Sequence, residues 1–173
     1  MEYPRLVRPD IKYKDSFLEF VEDVKSTGYE SYELYRKAVV DFDGFIKDLC
    51  DSSEGLNLPE GWVPCSSFWL VDNTCEVLGV IRIRHRVDSE YLQMLGHIGY
   101  EIKSNNRRKG YGSRIFELGL IESRKIGLRS VLVTCNEDNI GSMSIILQAN
   151  GKFTRSFKDD ETGKKVMQYE VLI

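Results

Sequence analysis

The chain carries only two histidines and four cysteines in 173 residues, and neither type is spaced to hold a metal. Cys50, Cys65, Cys75 and Cys135 contain no CxxC pair, so free thiols in a reducing compartment are expected. His85 and His97 lack a third ligand, and no metal site is expected. An excess of positive charge is also missing: 24 Lys and Arg stand against 27 Asp and Glu, a formal net charge of -3. Without a cationic face or an aromatic-basic platform, the chain is not expected to bind nucleic acid. No apolar run reaches the roughly 20 residues that cross a bilayer, and the start Met1-Glu2-Tyr3-Pro4-Arg5 lacks the apolar core of a signal peptide. These absences predict a cytoplasmic protein without membrane contact. Repeats and low-complexity tracts are absent as well. The length fits one domain, residues 1–173, with a core large enough to fold alone.

What is present switches between two periods. Residues 6–8 read as a short strand. Residues 13–25 place Phe17, Leu18, Phe20, Val21 and Val24 at helical spacing and stop before Gly28. A second helical stretch, 32–50, is expected to break near Asp41 and Gly44, and 52–67 reads as a long loop. Three β-type runs follow at 67–71, 77–87 and 96–102. In the second, Ile81, Ile83, His85 and Val87 alternate with Arg82, Arg84 and Arg86, so the arginines are expected on an exposed face. Residues 110–126 form an amphipathic helix closed by Gly127, 130–134 a buried strand and 139–148 another helix. Strands at 153–157 and 166–172 close the chain as an antiparallel pair. Hairpins plus one strand–helix–strand crossover predict an α+β fold with a mixed, mostly antiparallel sheet flanked by helices.

The densest chemistry lies where the strand 96–102 gives way to the next helix. There the chain reads Ile102-Lys103-Ser104-Asn105-Asn106-Arg107-Arg108-Lys109-Gly110-Tyr111-Gly112-Ser113-Arg114. Gly110 and Gly112 leave the backbone bare at a helix start. Free N–H groups, the helix dipole and three consecutive cations there favour an anion such as a pyrophosphate. A Walker loop requires GxxxxGK followed by Ser or Thr, which the chain lacks. A dinucleotide fingerprint requires a third glycine within a parallel unit, and Gly110-Tyr111-Gly112-Ser113-Arg114-Ile115 does not supply it.

Arg107-x-x-Gly110-x-Gly112 resembles the (Arg/Gln)-x-x-Gly-x-(Gly/Ala) signature of the GCN5-related N-acetyltransferase superfamily. The strand Gly96-His97-Ile98-Gly99-Tyr100-Glu101-Ile102 resembles that family's pantetheine-binding strand. Residues 132–142 resemble its next strand and Asn-x-x-Ser helix start, and Asn150-Gly151-Lys152-Phe153 its final glycine turn. The resemblance is clear from about residue 68 to 173 and weaker before it, and Ile83-Arg84-His85 and Gly96 to Tyr100 resemble a bacterial branch of predicted acetyltransferases. It implies a twisted central sheet, acetyl-coenzyme A as donor, and direct transfer to a primary amine in a ternary complex. Residues 96–151 would form the donor-binding core and the helices of residues 10–50 the substrate side. By the same resemblance, Tyr100, Glu101 and Ile102 match main-chain contacts to pantetheine. Arg107, Arg108, Lys109, Gly110, Tyr111, Gly112 and Ser113 match the pyrophosphate loop. Asn139 and Ser142 match contacts to the pantetheine or adenosine end, and Asn139 also suits a helix N-cap.

Acetyl transfer needs a deprotonated amine, a polarised carbonyl and a protonated leaving thiolate. His97 and Glu101 are the base candidates, and His97 also suits a hydrogen-bonded residue within the sheet. Many family members place a tyrosine acid seven residues after the asparagine matched by Asn139. Here that residue is Ile146, which leaves the acid unassigned and permits a second reading, a non-catalytic acyl-coenzyme A binding or sensor module. Arg84, with His85 beside it, would suit a substrate carboxylate or phosphate if it turned into the cleft. Glu30, Glu33, Asp41, Asp43 and Glu60 would instead attract a cationic amine. The expected partner is a small-molecule or protein amine, and a homodimer is compatible with the sequence.

Overall fold

The computed structural model describes residues 4–173. Strand β1 (Arg5–Val7) leads to helix α1 (Lys14–Ser26), whose Phe17, Phe20, Val21 and Val24 form one buried stripe. The helix expected over 32–50 divides into a 3-10 segment (Glu30–Leu34), α2 (Arg36–Val40) and α3 (Phe42–Glu54). Asp41 makes the break. Its backbone leaves the helical region, and its carboxylate accepts the Gly44 N–H at 3.0 Å, starting α3 afresh. Strands β2 (Cys65–Val71), β3 (Val77–Arg84) and β4 (Ile98–Ile102) follow, and β3 stops at Arg84, short of the expected residue 87. Between β3 and β4 lies an unexpected helix, α4 (Glu90–Leu95), capped by Ser89 accepting the Leu92 N–H at 3.2 Å. Helix α5 (Tyr111–Lys125), β5 (Ser130–Asn136), α6 (Ile140–Gln148), β6 (Lys152–Lys158) and β7 (Lys165–Leu172) complete the chain.

One seven-stranded sheet runs in the order β1-β2-β3-β4-β5-β7-β6, and every neighbouring pair is antiparallel except β4–β5. The expected α+β class with a mixed, mostly antiparallel sheet is what forms. Helices α1 to α3 cover one face, where Phe17 stacks on Trp69 at 4.2 Å between ring centroids and Phe20, Tyr35, Phe42 and Phe45 surround the pair. Helices α5 and α6 cover the other, where their Ile115, Phe116 and Ile146 cluster with Ile81, Ile83 and Ile98 of the sheet. Each such side chain contributes on the order of 1.5–3 kcal/mol by leaving water. No helix among the described residues is long and apolar enough to cross a membrane.

The parallel pair is held at a single place. Strands β4 and β5 share one registered pair, Ile98 with Val133, and diverge beyond it. Just before that pair, the His97 N–H donates to Leu132 O at 2.7 Å and the Leu132 N–H donates back to His97 Nδ1 at 2.9 Å. Gly96 permits this approach, because its φ of 74° and ψ of 179° suit glycine alone and a Cβ there would lie 2.7 Å from Leu132 O. Gly96→Ala therefore combines backbone strain with a clash against main chain. An expected loss of about 2–3 kcal/mol in unfolding free energy follows, read by urea denaturation. An unchanged midpoint would show that the strands need no such contact.

Candidate active site

The turn after β4 bares the start of a helix. Ser104–Asn106 form a short 3-10 turn, Arg107 is extended, Arg108 takes a left-handed conformation at φ 60°, and Gly110 does the same at φ 85° as the N-cap of α5. Gly110 has no side chain with which to cap. Intrahelical bonding begins with the Arg114 N–H donating to Gly110 O, so the N–H groups of Tyr111, Gly112 and Ser113 have no partner within the helix. The three cations behave differently. Arg107 is committed to the fold: its Nε donates to Ile102 O at 3.1 Å, its Nη1 donates to Tyr29 Oη at 2.9 Å, and the guanidinium lies 4.9 Å from the Tyr29 ring centroid. Lys109 Nζ reaches Asn106 Oδ1 at 3.3 Å. Arg108 is exposed and lines the cleft.

That cleft, of about 880 Å³, runs from the turn into the gap between β4 and β5. The β3–β4 ladder, set by the Arg84 N–H to His97 O and the Lys103 N–H to Leu78 O, aims the main-chain groups of Tyr100 and Ile102 at the opposite edge, toward the gap. Ile102 O is the carbonyl already taken by Arg107. On one wall the Tyr100 O–H donates to Ser142 Oγ at 3.3 Å, and Asn139 caps α6 by accepting the Ser142 N–H at 3.1 Å. Gly110, Gly112 and Ser113 line the same space, whereas Lys109 and Tyr111 line a neighbouring cavity of about 890 Å³ along α5.

Glu101 lines the cleft from the other face of the sheet. Arg82, directly across β3 from Gly99, reaches it with two hydrogen bonds, Nη1 to Oε2 and Nη2 to Oε1, both 2.9 Å. Tyr35 joins them: Arg82 Nη1 donates to its oxygen, and its O–H donates to Glu101 Oε2. The paired charges each keep only 16% of their side-chain surface. Burial alone would raise the Glu101 carboxyl. The Arg82 guanidinium, with hydrogen bonds from Arg82 and Tyr35 and the nearby Ser31 hydroxyl, outweighs it and holds the group below the ordinary carboxylate value. Burial drives Tyr35 well above the usual tyrosine value, so it stays a proton donor within the cluster. Ser31 Oγ is buried, lines the cleft, and has no hydrogen bond of good geometry among the described residues.

No family model and no curated protein matches the sequence. Solved structures do match its shape. One is the microcin C7 self-immunity acetyltransferase MccE in complex with acetyl-CoA and AMP, with a TM-score of 0.72 at 15% identity over 100% of this chain and 94% of that one. Another is RimL, the ribosomal L7/L12 alpha-N-protein acetyltransferase in complex with coenzyme A, at 0.71, 15%, 100% and 96%. Mycobacterium smegmatis RimJ with a coenzyme A disulfide gives 0.70, 15%, 96% and 80%. The fold is that of the GCN5-related N-acetyltransferases.

Within this acetyltransferase fold, several residues marked by the sequence lie away from the cleft. His97 is one: its imidazole is 9% exposed, and its Nδ1 is occupied by the Leu132 N–H, which makes it the sheet residue of the alternative reading. His85 Nε2 lies 2.8 Å from Ser66 Oγ at the end of β3. Arg84 turns its Nη1 onto Gly96 O at 3.1 Å. Arg82 and Arg84 are partly or largely buried, so the expected exposed arginine face is confined to Arg86, which pairs with Asp88. Of the acidic residues, Asp41 caps α3, Glu33 pairs with Arg36, Asp43 and Glu60 are exposed away from the cleft, and the side chain of Glu30 lies outside the described set. Ile146 is fully buried in the core beneath α6. Among the described residues, no three His, Cys, Asp or Glu side chains are grouped to hold a metal ion. Arg82 and Tyr35 were not legible as site residues in the sequence, because only the folded sheet and the packed helices bring them to Glu101.

Burial, then the Arg84 charge, holds the His97 imidazole below its ordinary value, and His85 shifts the same way through burial and Arg8. The folded state therefore prefers both rings neutral. As pH falls through the unfolded value of about 6.5, the unfolded chain binds protons that the folded chain resists, and stability drops. The thermal midpoint should decline from about pH 7.5 to about 5.5. His97→Gln, whose amide oxygen can accept the Leu132 N–H, should flatten part of that decline. An identical slope in the variant would show that His97 titration is not linked to folding.

Proposed function

We propose that the protein is an acetyl-coenzyme A-dependent N-acetyltransferase that passes the acetyl group directly to a primary amine in a ternary complex. One observation carries this reading: an uncapped helix start with a free cation and a strand edge with unpaired main-chain groups share a single cleft. A long donor with a pyrophosphate at one end and amide groups along its arm fits that pairing of features. The N–H groups of residues 111–113 and Arg108 would hold the pyrophosphate, and the Tyr100 edge with the Ile102 N–H would hold the pantetheine amides. Asn139 and Ser142 would line the arm. Residues 96–151 thus form the donor half and the helices of residues 10–50 the acceptor side. That three of the neighbouring folds hold acetyl-CoA or coenzyme A supports the donor, and that one is an alpha-N-protein acetyltransferase supports an amine acceptor.

An acetyl thioester supplies an activated acyl carbon: the amine nitrogen bonds to it, the carbon–sulfur bond breaks, and the sulfur takes up a proton. Burial raises the Tyr100 hydroxyl above its usual value, so it is protonated throughout the working range. We assign it, with Ser142, as the hydroxyl pair that meets the departing thiolate in place of the tyrosine that Ile146 replaces. The buried Ile146 also favours the second reading, a module that binds acyl-coenzyme A without turnover.

Calorimetry with acetyl-coenzyme A and thiol release with a panel of primary amines test the assignment. Arg108→Glu should weaken acetyl-coenzyme A binding by about tenfold or more, as expected for one charge-assisted phosphate contact. Binding without turnover on any amine leaves the module reading, and absence of binding removes both.

A further inference from the structure

The acceptor face of the cleft contains an ion pair that the donor half does not need. Resting on the acetyltransferase reading, we propose that Arg82 and Tyr35 are positioning residues that hold Glu101 as an ammonium receptor, completed by Ser31, and that Glu101 does not carry away the amine's proton.

The lone pairs of Glu101 support this. An ionised carboxylate offers about four acceptor positions. Oε2 receives Arg82 Nη1 and the Tyr35 O–H, while Oε1 receives only Arg82 Nη2. Apart from the nearby Ser31 hydroxyl, Oε1 has no second donor among the described residues, and Glu101 lines the cleft. Ser31 Oγ lines the same cleft, buried and without a well-formed hydrogen bond among the described residues. An open carboxylate position beside an unsatisfied hydroxyl matches a group rich in donors, and a primary ammonium brings three.

The same contacts oppose proton transfer to Glu101. A protonated Glu101 would leave the largely buried Arg82 without its counter-charge, which is the costly way to break such a pair. Tyr35 already donates its own proton to Glu101 and cannot take another. The groups facing Glu101 are Arg82 from β3 and Tyr35 and Ser31 from residues 30–35; Arg82 in turn faces Cys65 on β2. The acceptor therefore enters as R–NH3+, releases one proton to water, and attacks as R–NH2. Ammonium plus acetyl thioester become amide, thiol and one free proton. Selectivity follows: a primary ammonium can serve both Oε1 and Ser31, whereas a tertiary one has a single N–H.

Thiol release is measured at saturating acetyl-coenzyme A from about pH 6 to about pH 9.5, spanning partial deprotonation of an alkylamine. Primary alkylamines and short peptides are the acceptors, and the variants are Glu101→Gln, Ser31→Ala and Tyr35→Phe. Glu101→Gln should raise the acceptor KM by about 10- to 100-fold, while kcat at the alkaline end stays within about threefold. Ser31→Ala should raise the acceptor KM and leave the acetyl-coenzyme A KM unchanged. Tyr35→Phe removes a donor that orients the carboxylate and should raise the acceptor KM while leaving the acetyl-coenzyme A KM unchanged. Collapse of kcat in Glu101→Gln at every pH, with an unchanged acceptor KM, overturns the proposal. If circular dichroism shows that this variant does not fold, an unchanged acceptor KM in both Tyr35→Phe and Ser31→Ala overturns it instead. A wild type that binds acetyl-coenzyme A but turns over no amine removes the enzyme reading itself, and this proposal with it.

Discussion

The His97–Leu132 bracket at the head of β4 holds two parallel strands together at one point, and the cleft exists because they separate after it. Two-sided hydrogen bonding at residue 97 leaves no freedom for the pair to close elsewhere. Further along, α5 and α6 pack on one face while α1 and the segment after it pack on the other, and each needs its own hydrophobic cluster. A sheet continuous across β4 and β5 would seal those clusters from each other. The gap connects them instead, so groups from opposite faces, Ser142 on one side and Glu101 on the other, line one space. A reaction between two partners arriving from different sides requires that topology.

Charge is distributed across the gap unevenly. The α5 side offers uncapped N–H groups and Arg108, a positive potential at the open end. The side covered by the N-terminal helices offers a carboxylate whose own cation is held against Tyr35. On the proposed reading, Arg82 is neutralised where an incoming ammonium would otherwise be repelled. A buried pair of this kind adds little to stability. Its presence is better explained by what it presents than by what it holds together.

Much of this was legible in the residues. The helical stripe at Phe17, Phe20, Val21 and Val24, the alternation of 77–84 and the glycine turn at 110 each encode local structure, and local structure formed where they stand. Helix α4 was not legible from period because six residues hold too few turns for one; Ser89 as a cap, Leu92 and the following Gly96 were its signals. The arginine row misled for a related reason. Alternation tells which residues share a face but not what covers it, and the cover comes from Tyr35, some 47 positions earlier. For the same reason, pairing of Arg82 with Glu101 and occupation of the His97 ring by Leu132 are tertiary facts with no local signature. The turn was readable because its chemistry lies within a dozen consecutive residues; the acceptor side was not, because its chemistry is assembled from three segments.

The turn itself also does more than its motif implies. Arg107 spends its guanidinium on Ile102 O and Tyr29, and Ser104 donates its N–H at 2.8 Å and its hydroxyl to Asp23 in α1. Lys103, nearly buried, spans Glu76 in the β2–β3 turn and Glu19 in α1 at 3.2 and 3.4 Å. The loop with the uncapped N–H groups is therefore fastened to the helix and segment that roof the opposite side of the cleft. Fastening of this sort fixes the distance between the anion site and Glu101, which lie on the same strand and its following turn. Two ligands placed by one rigid frame meet without paying for their mutual orientation at the moment of reaction, and that is the part of catalysis that a fold with few proton-transfer groups can still supply.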